Sequence, residues 1–282
     1  MKVLVAGDIT RGEQWETYLR SRLSVSEVIV ASEFRGETVD AVILLDQSHD
    51  QLEILLEIVK KVLPVFLVSS LHTDRNMLQK VYHASEEAGV PVQFSHWSSY
   101  SSMSRWIRKH LNSAPRFIEI QKHDRNRSVP DRDDFRRIWR DELAVITSWQ
   151  KSTVQQITAH PIQLTKQRIG IHCTIRFDNG AVGVLNYHSV SPADSHQRTF
   201  QNRDTLIHCD ILSQKSTRYT PIENSTVLNS DHRTFDPHDS AENSVDSFIR
   251  SIKSDKPGAF SIADALQAAR VADRVEELLK RV

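Results

Sequence analysis

The first third of the chain alternates short apolar runs with stretches of helical periodicity. The runs are unbroken, as expected for strands that are covered on both faces. Between two of them, Leu52, Leu55, Leu56 and Val59 recur at three- and four-residue steps, which marks the inner face of a helix. Alternating strands and helices predict a doubly wound parallel sheet. Its predicted strands are residues 3–6, 28–31, 41–45, 64–68 and 90–94.

The pattern changes near residue 114, after which apolar runs follow one another without helices between them. Asp178-Asn179-Gly180 lies between two such runs and predicts a hairpin. The sequence therefore predicts an α/β protein with a Rossmann-like domain over 1–114 and an α+β domain, on a mostly antiparallel sheet, over 115–282. The closing helix is expected in the second domain or packed back on the first. Strands are predicted at 117–121, 169–177, 182–188 and 205–212, helices at 138–158, 244–253 and after Ser261, and a loop with short strands at 215–239.

The opening turn carries part of a dinucleotide-binding pattern. Residues 2–12 read KVLVAGDITRG, so Gly7 and Gly12 take the first and third glycine places of G-x-G-x-x-G, and Ile9 takes the middle one. A helix is expected to start near Gly12. Two interpretations stay open: a strand–helix turn without a ligand, and a nucleotide site in which Asp8 adds a carboxylate beside the phosphates.

Further candidate side chains follow the ends of the predicted strands. Glu33 comes after the second strand, where an acidic residue holds the ribose hydroxyls in dinucleotide sites. Asp46 and His49 follow the third strand and His96 follows the fifth. A histidine near a carboxylate can carry acid–base chemistry. The alternative for Asp46 and Ser48 is helix capping, with His49 exposed.

Composition narrows the classes of function. Lys+Arg and Asp+Glu number 36 each, so no global field attracts nucleic acid or anionic lipid. Cys173 and Cys209 lack metal or redox spacing and are expected as reduced thiols of a cytoplasmic protein. No apolar stretch is long enough to span a membrane, and the start shows no signal peptide. The charge-dense stretch 122–137 and the irregular His/Asp group at 231–239 are interpreted as solvated segments, so no metal site is predicted.

Several phrases, in order along nearly the whole chain, resemble the Gfo/Idh/MocA family of NAD(P)-dependent oxidoreductases. In the first half these are VAGDITRG, VDAVILLDQSHDQLEILLEIVKK, PVFLVSSL and EEAGVPVQFS. In the second half, IRFDNGAVGVLNY resembles the family's hairpin, and NSVDSFIRSIKSDKPGAFSIADALQAARVADRV resembles its closing helix pair. The resemblance implies a Rossmann domain that binds NAD or NADP, a small sugar-like or polyol substrate, and a homo-oligomer formed through the second-domain sheet.

The chemical residues of the family are largely replaced. The family's lysine position falls on Ser69, and the histidine of its strand–turn–helix motif falls on Gln51. In the Asp-x-x-x-His-x-x-Asp pattern, Asp141 is retained, whereas Val145 and Ser148 occupy the other two places. Residues 96–100, HWSSY, keep an aromatic residue where the family has an arginine-rich phrase. The chain thus resembles a divergent member with degenerate motifs.

Two functions remain open. The first is an NAD(P)-dependent oxidoreductase in which His96, Asp141 or His49 transfers a proton, and in which Gly7, Asp8, Ile9, Gly12, Glu33 and Asp46 bind the cofactor. The second is a non-catalytic relative that senses a ligand or supports assembly and has lost the cofactor chemistry. The replacements at Ile9, Ser69 and Val145 motivate the second.

Overall fold

The computed structural model describes residues 1–45, 50–71, 74–125, 132–164, 167–223, 225–254 and 256–280. The chain divides into two compact units. The first comprises Met1–Tyr100 and Asp239–Ala269, and the second comprises Ser101–His238 and Arg270–Val282. The observed division differs from the expected boundary at residue 114. The assignment of a cofactor role to one domain and of a substrate and oligomerisation role to the other stays a prediction.

The first unit is built on a five-stranded sheet whose strand pairs are all parallel. The strand order is β2-β1-β3-β4-β5. Residues Val3–Ala6 of β1 and all residues of β3 and β4 are almost wholly inaccessible, which explains why these sequences read as unbroken apolar runs. The prediction of a doubly wound parallel sheet is thereby confirmed. The strands are β1 (Lys2–Ala6), β2 (Glu27–Ala31), β3 (Ala41–Leu44), β4 (Val65–Leu67) and β5 (Val92–Phe94).

Helices of the first unit bury their apolar faces on this sheet. In the segment after residue 239, Val245 and Phe248 join the core formed with Phe66 of the sheet. Gly89 ends one of these helices in the left-handed conformation at φ 65°. The N-terminus of that helix is capped by Asp74, and the expected cap Ser48 lies outside the described residues. The helices are α1 (Ile9–Arg20), α2 (Gln51–Lys60), α3 (Arg75–Ala88), α4 (Trp97–Tyr100) and α7 (Ser240–Ser254).

The second unit is built on an eight-stranded sheet in the described part of the chain, with order β13-β12-β11-β10-β6-β9-β8-β7. Its β6–β9 pair is parallel and its other pairs are antiparallel, so the predicted mostly antiparallel sheet is confirmed. The strands are β6 (Phe117–Arg125), β7 (Val154–Leu164), β8 (Gln167–Phe177), β9 (Val182–Ser191), β10 (Ser195–Gln201), β11 (Leu206–Asp210), β12 (Lys215–Pro221) and β13 (Leu228–Thr234).

Three helices contribute to the core of the second unit: α5 (Ser102–Leu111), α6 (Arg132–Trp149) and the part of α8 (Ile262–Leu279) beyond Ala269. Helix α6 packs closely on β9, because a Cβ atom on Gly183 would lie 2.3 Å from Cγ2 of Ile146. The predicted hairpin is confirmed, since β8 and β9 pair antiparallel around Asp178-Asn179-Gly180. Gly180 adopts φ 81°, which an ordinary side chain disfavours.

Several predicted elements were wrong in extent. Helix α1 begins at Ile9 rather than near Gly12, and it ends at Arg20, so Leu23 lies beyond the helix and is fully exposed. The predicted helix 138–158 starts earlier and stops at Trp149, and residues 154–158 pair with β8 as part of β7. Strand β10 was missed because its inward positions include His196 and Arg198, so it lacks the apolar alternation that marks a strand. In contrast, the short strands predicted within residues 215–239 are confirmed as the paired strands β12 and β13.

Candidate functional site

The carboxyl edge of the first sheet contains the reversal of strand order that marks ligand crevices in α/β folds. From β1 the chain forms β2 on one side and then β3 on the other, so the reversal lies between β1 and β3. Gly7 and Asp8 follow β1 directly, and Leu45 follows β3. The predicted residues Asp46 and His49 lie outside the described residues.

The two glycines of the opening turn have separate structural roles. Gly7 adopts φ 129°, and its N–H donates a 2.9 Å hydrogen bond to the carbonyl of Ala31. A Cβ atom on Gly12 would lie 2.6 Å from Cγ1 of Val30, so the glycine lets α1 approach β2. These are the roles of the first and third glycines of a dinucleotide fingerprint, namely the tight turn and the close helix–strand contact.

The middle of this turn differs from that fingerprint. Asp8 is the N-cap of α1, and its Oδ1 atom accepts a 2.9 Å hydrogen bond from the backbone N–H of Arg11. Ile9 is the first helical residue and is 54% exposed. A carboxylate of the chain itself therefore occupies part of the helix terminus at which a phosphate would bind.

Glu33 lies beyond the end of β2 and is exposed. Its Oε1 atom accepts a 2.7 Å hydrogen bond from Nε of Arg35, and the two side chains form an ion pair. The structure thus places Glu33 in a local contact of the loop, and its role toward a ribose stays a prediction.

His96 follows β5 and is 5% exposed. Its Nδ1 atom lies 2.7 Å from Oγ of Ser99, and its ring centroid lies 4.5 Å from that of Phe260. At the same edge, the backbone N–H of Ser69 donates to Oγ of Ser95, which donates in turn to the carbonyl of Ser69. Ser99 and Phe260 thus position the ring of His96, and its catalytic role stays a prediction.

Asp141 lies on α6 in the second unit and is partly buried. Burial, together with the adjacent charge of Glu142, raises the pKa of the Asp141 carboxyl to about 6, although Lys122 and Arg137 oppose the shift. Two positions of the family pattern have structural contacts instead: Val145 lies in the apolar core, and Oγ of Ser148 donates to the carbonyl of Val145. Asp141 can accept or release a proton near neutral pH.

Beside Asp141 lies a buried charged cluster of Glu142, His196 and Arg198, which the sequence prediction missed. Nε and Nη2 of Arg198 donate hydrogen bonds of 3.1 Å to the two carboxylate oxygens of Glu142. Nε2 of His196 lies 3.1 Å from Oε1 of Glu142, but the ring is not oriented for a hydrogen bond. The signal in the sequence is the spacing of His196 and Arg198 two residues apart, which places both on one face of β10.

Burial and the neighbouring charges set the protonation states of Glu142 and His196 in this cluster. Burial disfavours ionisation of Glu142, but Arg198 and His196 outweigh it and hold the pKa of the carboxyl well below its usual range. Burial lowers the pKa of His196, although the charge of Glu142 opposes the shift. At neutral pH, Glu142 and Arg198 form an ion pair and His196 is neutral. This arrangement lies against the α6 segment that carries Asp141.

The structure also shows the positions of the two cysteines and of His232. Cys173 and Cys209 are free and buried, and burial raises the pKa of their thiols to about 12 and about 11. In the described ranges, no group of three or more His, Cys, Asp or Glu side chains is arranged to hold a metal ion. His232 lies on β13, where its Nδ1 atom is 2.9 Å from Oγ1 of Thr217. Among the described helices, none has the length and apolar character needed to cross a bilayer.

Comparison with solved structures places the fold among dehydrogenases. UDP-N-acetylglucosamine 3-dehydrogenase GnnA from Acidithiobacillus ferrooxidans is 12% identical with a TM-score of 0.78, over 100% of this chain and 98% of that one. An NAD binding oxidoreductase from Klebsiella pneumoniae is 11% identical with a TM-score of 0.81, over 100% of this chain and 97% of that one. An oxidoreductase from Agrobacterium radiobacter, in complex with NAD+, L-tartaric acid and magnesium, is 9% identical with a TM-score of 0.77, over 99% of this chain and 96% of that one. No protein-family model and no curated protein matches the sequence.

Proposed function

We propose that the chain is an NAD(P)-dependent oxidoreductase of the Gfo/Idh/MocA type that acts on a small sugar-like or polyol substrate. The fold similarity to dehydrogenases extends over the full length of the chain and supports this assignment. The observation that carries the proposal is Asp141. It is the one residue retained from the family's acid–base pattern, and it is also a partly buried carboxyl whose pKa is raised to about 6. Perturbed carboxyls of this kind concentrate at functional sites.

The residues of the opening turn fit a dinucleotide in part. Gly7 provides the turn and Gly12 the close helix packing, which are backbone requirements of such a site. Asp8 opposes a pyrophosphate through its charge, and Ile9 replaces the glycine that permits close approach. Glu33 and Asp46 complete the proposed cofactor set. Bound NAD(P) would supply the hydride chemistry.

The chain itself would handle the proton of the reaction. In the oxidation of an alcohol, the ionised carboxylate of Asp141 accepts the hydroxyl proton as the carbonyl forms, and it returns the proton in the reverse direction. A pKa near 6 leaves Asp141 mostly ionised at neutral pH and still able to hold a proton. His96 and His49 are the alternative proton carriers in this proposal.

A second candidate is a non-catalytic relative that keeps the scaffold for ligand sensing or assembly. Two observations favour it: the N-terminus of α1 is capped by Asp8, and Val145 lies in the apolar core where the family pattern has a histidine. In this case the described fold is retained without cofactor chemistry.

Calorimetry with NADH and NADPH distinguishes the two candidates. The oxidoreductase proposal expects saturable heat with at least one cofactor, and turnover of a polyol or sugar that falls at least 100-fold in Asp141→Asn. An Asp204→Asn variant, which changes an exposed aspartate of the same unit, serves as the control. Absence of heat with both cofactors contradicts the oxidoreductase and supports the second candidate.

We extend the proposal to quaternary structure and location. A homodimer that pairs the open faces of two second-unit sheets is expected from the family resemblance. On the face opposite Ile118 and Ile120, β6 carries the half-buried residues Glu119 and Gln121. Light scattering that gives twice the 32.3 kDa chain mass supports the dimer, and the single mass contradicts it. A cytoplasmic location is proposed with it.

A further inference from the structure

Trp97 is the one exposed aromatic side chain among those whose exposure the structure describes. It is 42% exposed, whereas the other described Trp, Tyr and Phe residues are buried or half-buried. The residue belongs to the HWSSY segment, which departs from the family's arginine-rich phrase. Burial of a tryptophan is strongly favourable, so an indole left accessible at one particular place asks for an explanation.

The indole of Trp97 rests on a rigid base. Its ring lies 6.4 Å from that of Trp15 at an interplanar angle of 30°, which is a stacked arrangement. Trp15 is 5% exposed and is held edge-on by Tyr18 and Phe66, at centroid distances of 5.9 and 5.4 Å. Trp97 has therefore already lost much of its rotational freedom, and stacking of a further ring against it would cost little additional entropy.

The location of Trp97 connects this indole with the candidate cofactor crevice. Trp97 follows the carboxyl end of β5, and Asp8 follows the carboxyl end of β1, in a sheet whose strands are parallel. Trp15 lies six residues after Ile9 on α1, about 9 Å from the helix start along its axis. Contact with Trp15, in the middle of α1, thus places Trp97 on the face of the sheet that α1 covers, while its position after β5 places it at the carboxyl edge.

We infer that Trp97 is a stacking platform for a planar heteroaromatic ring of the bound dinucleotide. The inference rests on the proposed NAD(P) site and adds to it the residue that holds a ring in place. Adenine and nicotinamide share the required chemistry, a flat π-surface that stacks on an indole. The stack would compensate for the weaker phosphate site that Asp8 and Ile9 leave at the start of α1.

Affinity measurements on variants test the platform. NADH, AMP and reduced nicotinamide mononucleotide are titrated by calorimetry into wild type, Trp97→Ala, Trp97→Phe and Leu23→Ala. We expect Trp97→Ala to weaken NADH binding roughly tenfold, because an aromatic base stack is worth about that factor or more. Trp97→Phe retains most of the affinity, and Leu23→Ala, which removes a fully exposed apolar side chain of the same unit, binds like wild type. Loss of affinity for AMP in Trp97→Ala identifies adenine as the stacked ring, and loss of affinity for reduced nicotinamide mononucleotide identifies nicotinamide.

Fluorescence provides a second readout that does not depend on the alanine variant. The emission of Trp97 is the difference between wild type and Trp97→Phe, and NADH is expected to quench it. Wild-type affinity in Trp97→Ala, or no quenching of the Trp97 emission by bound NADH, overturns the platform while leaving the cofactor proposal intact. Absence of NADH and NADPH binding to wild type overturns both. Circular dichroism and the thermal midpoint establish that each variant is folded.

Discussion

The carboxylate of Asp8 caps helix α1 by accepting a 2.9 Å hydrogen bond from the backbone N–H of Arg11. The cap stabilises the helix, because a negative charge at an N-terminus complements the helix dipole. It also places that charge at the terminus where a dinucleotide fold receives its pyrophosphate. Asp8 therefore affects both the stability of the opening turn and its affinity for an anionic ligand.

This link predicts that Asp8→Asn changes NADH binding more than it changes stability. Asparagine retains a capping oxygen and removes the charge, so we expect nearly unchanged stability and severalfold tighter NADH binding. Asp8→Ala removes the cap as well and is expected to cost about 1 kcal/mol of unfolding free energy. Calorimetry and urea denaturation measure the two quantities. Weaker binding by Asp8→Asn would contradict repulsion between Asp8 and the phosphates.

Gly12 is predicted to be required for the packing of α1 on β2. A Cβ atom there would lie 2.6 Å from Cγ1 of Val30, so Gly12→Ala is expected to cost about 1–3 kcal/mol despite the better helix propensity of alanine. The double variant Gly12→Ala/Val30→Ala removes the clashing methyl group and is expected to cost less than the sum of the single changes. Urea denaturation tests this. If the costs of the two single changes simply added in the double variant, the cost of Gly12→Ala would not arise from contact with Val30.

Asp141 is predicted to lower the stability of the folded state as the pH rises, which is opposite to the usual effect of a carboxyl group. Its pKa is raised from 3.8 to about 6, so the folded state favours the protonated carboxyl. The resulting penalty is absent below pH 3.8, grows between the two values, and is complete above pH 6. Asp141→Asn is therefore expected to be more stable than wild type above pH 6, by at most about 3 kcal/mol.

Denaturation of Asp141→Asn and of the exposed control Asp204→Asn at pH 5 and pH 8 measures this difference. The gain of Asp141→Asn should be larger at pH 8 than at pH 5, while the control should show no such dependence. Equal gains at both pH values would show that the asparagine acts through packing rather than through charge.

The buried pair of Glu142 and Arg198 is predicted to be strongly coupled. Glu142→Gln removes the carboxylate to which the 6%-exposed residue Arg198 donates two hydrogen bonds, and is expected to cost about 3–5 kcal/mol. The double variant Glu142→Met/Arg198→Met removes both charges and should recover much of that loss. A double-mutant cycle by urea denaturation measures the coupling. A loss below 1 kcal/mol in Glu142→Gln would mean that solvent reaches the pair.

Acidification provides an independent check on this cluster. The pKa of Glu142 is depressed in the folded state, so its stabilisation is complete above the unfolded value near 4.5 and is lost as the pH falls. His196 has a lowered pKa, so its protonation below pH 6.5 also favours unfolding. As the pH falls from 6.5 to 4, protonation of His196 opposes the stability that wild type gains from protonation of Asp141. His196→Gln should therefore gain more stability than wild type over that range in thermal denaturation. An identical slope in His196→Gln would exclude a contribution from this histidine.

The sequence by itself determined the first sheet and the order of its elements. Parallel strands covered on both faces consist of continuous apolar residues, so Val3–Ala6 and Ala41–Leu44 are visible without knowledge of their partners. The hairpin at Asp178–Gly180 was equally visible, because a left-handed turn requires particular residues. Asp141 was proposed as a candidate from its place in a family motif, and its spatial neighbours were not needed for that.

Only the tertiary structure decided what depends on residues remote in the chain. Strand β10 turns His196 and Arg198 inward, and these polar residues become understandable only when Glu142 of α6 is placed against them. The exposure of Trp97 and its stack on Trp15 depend on how α4 and α1 pack, which no local pattern records. The start of α1 also shifted to Ile9, since the carboxylate of Asp8 captures the N–H of Arg11. Local propensity thus fixes the strands and turns, whereas burial and long-range partners fix the charges and the accessible surfaces on which the proposed function depends.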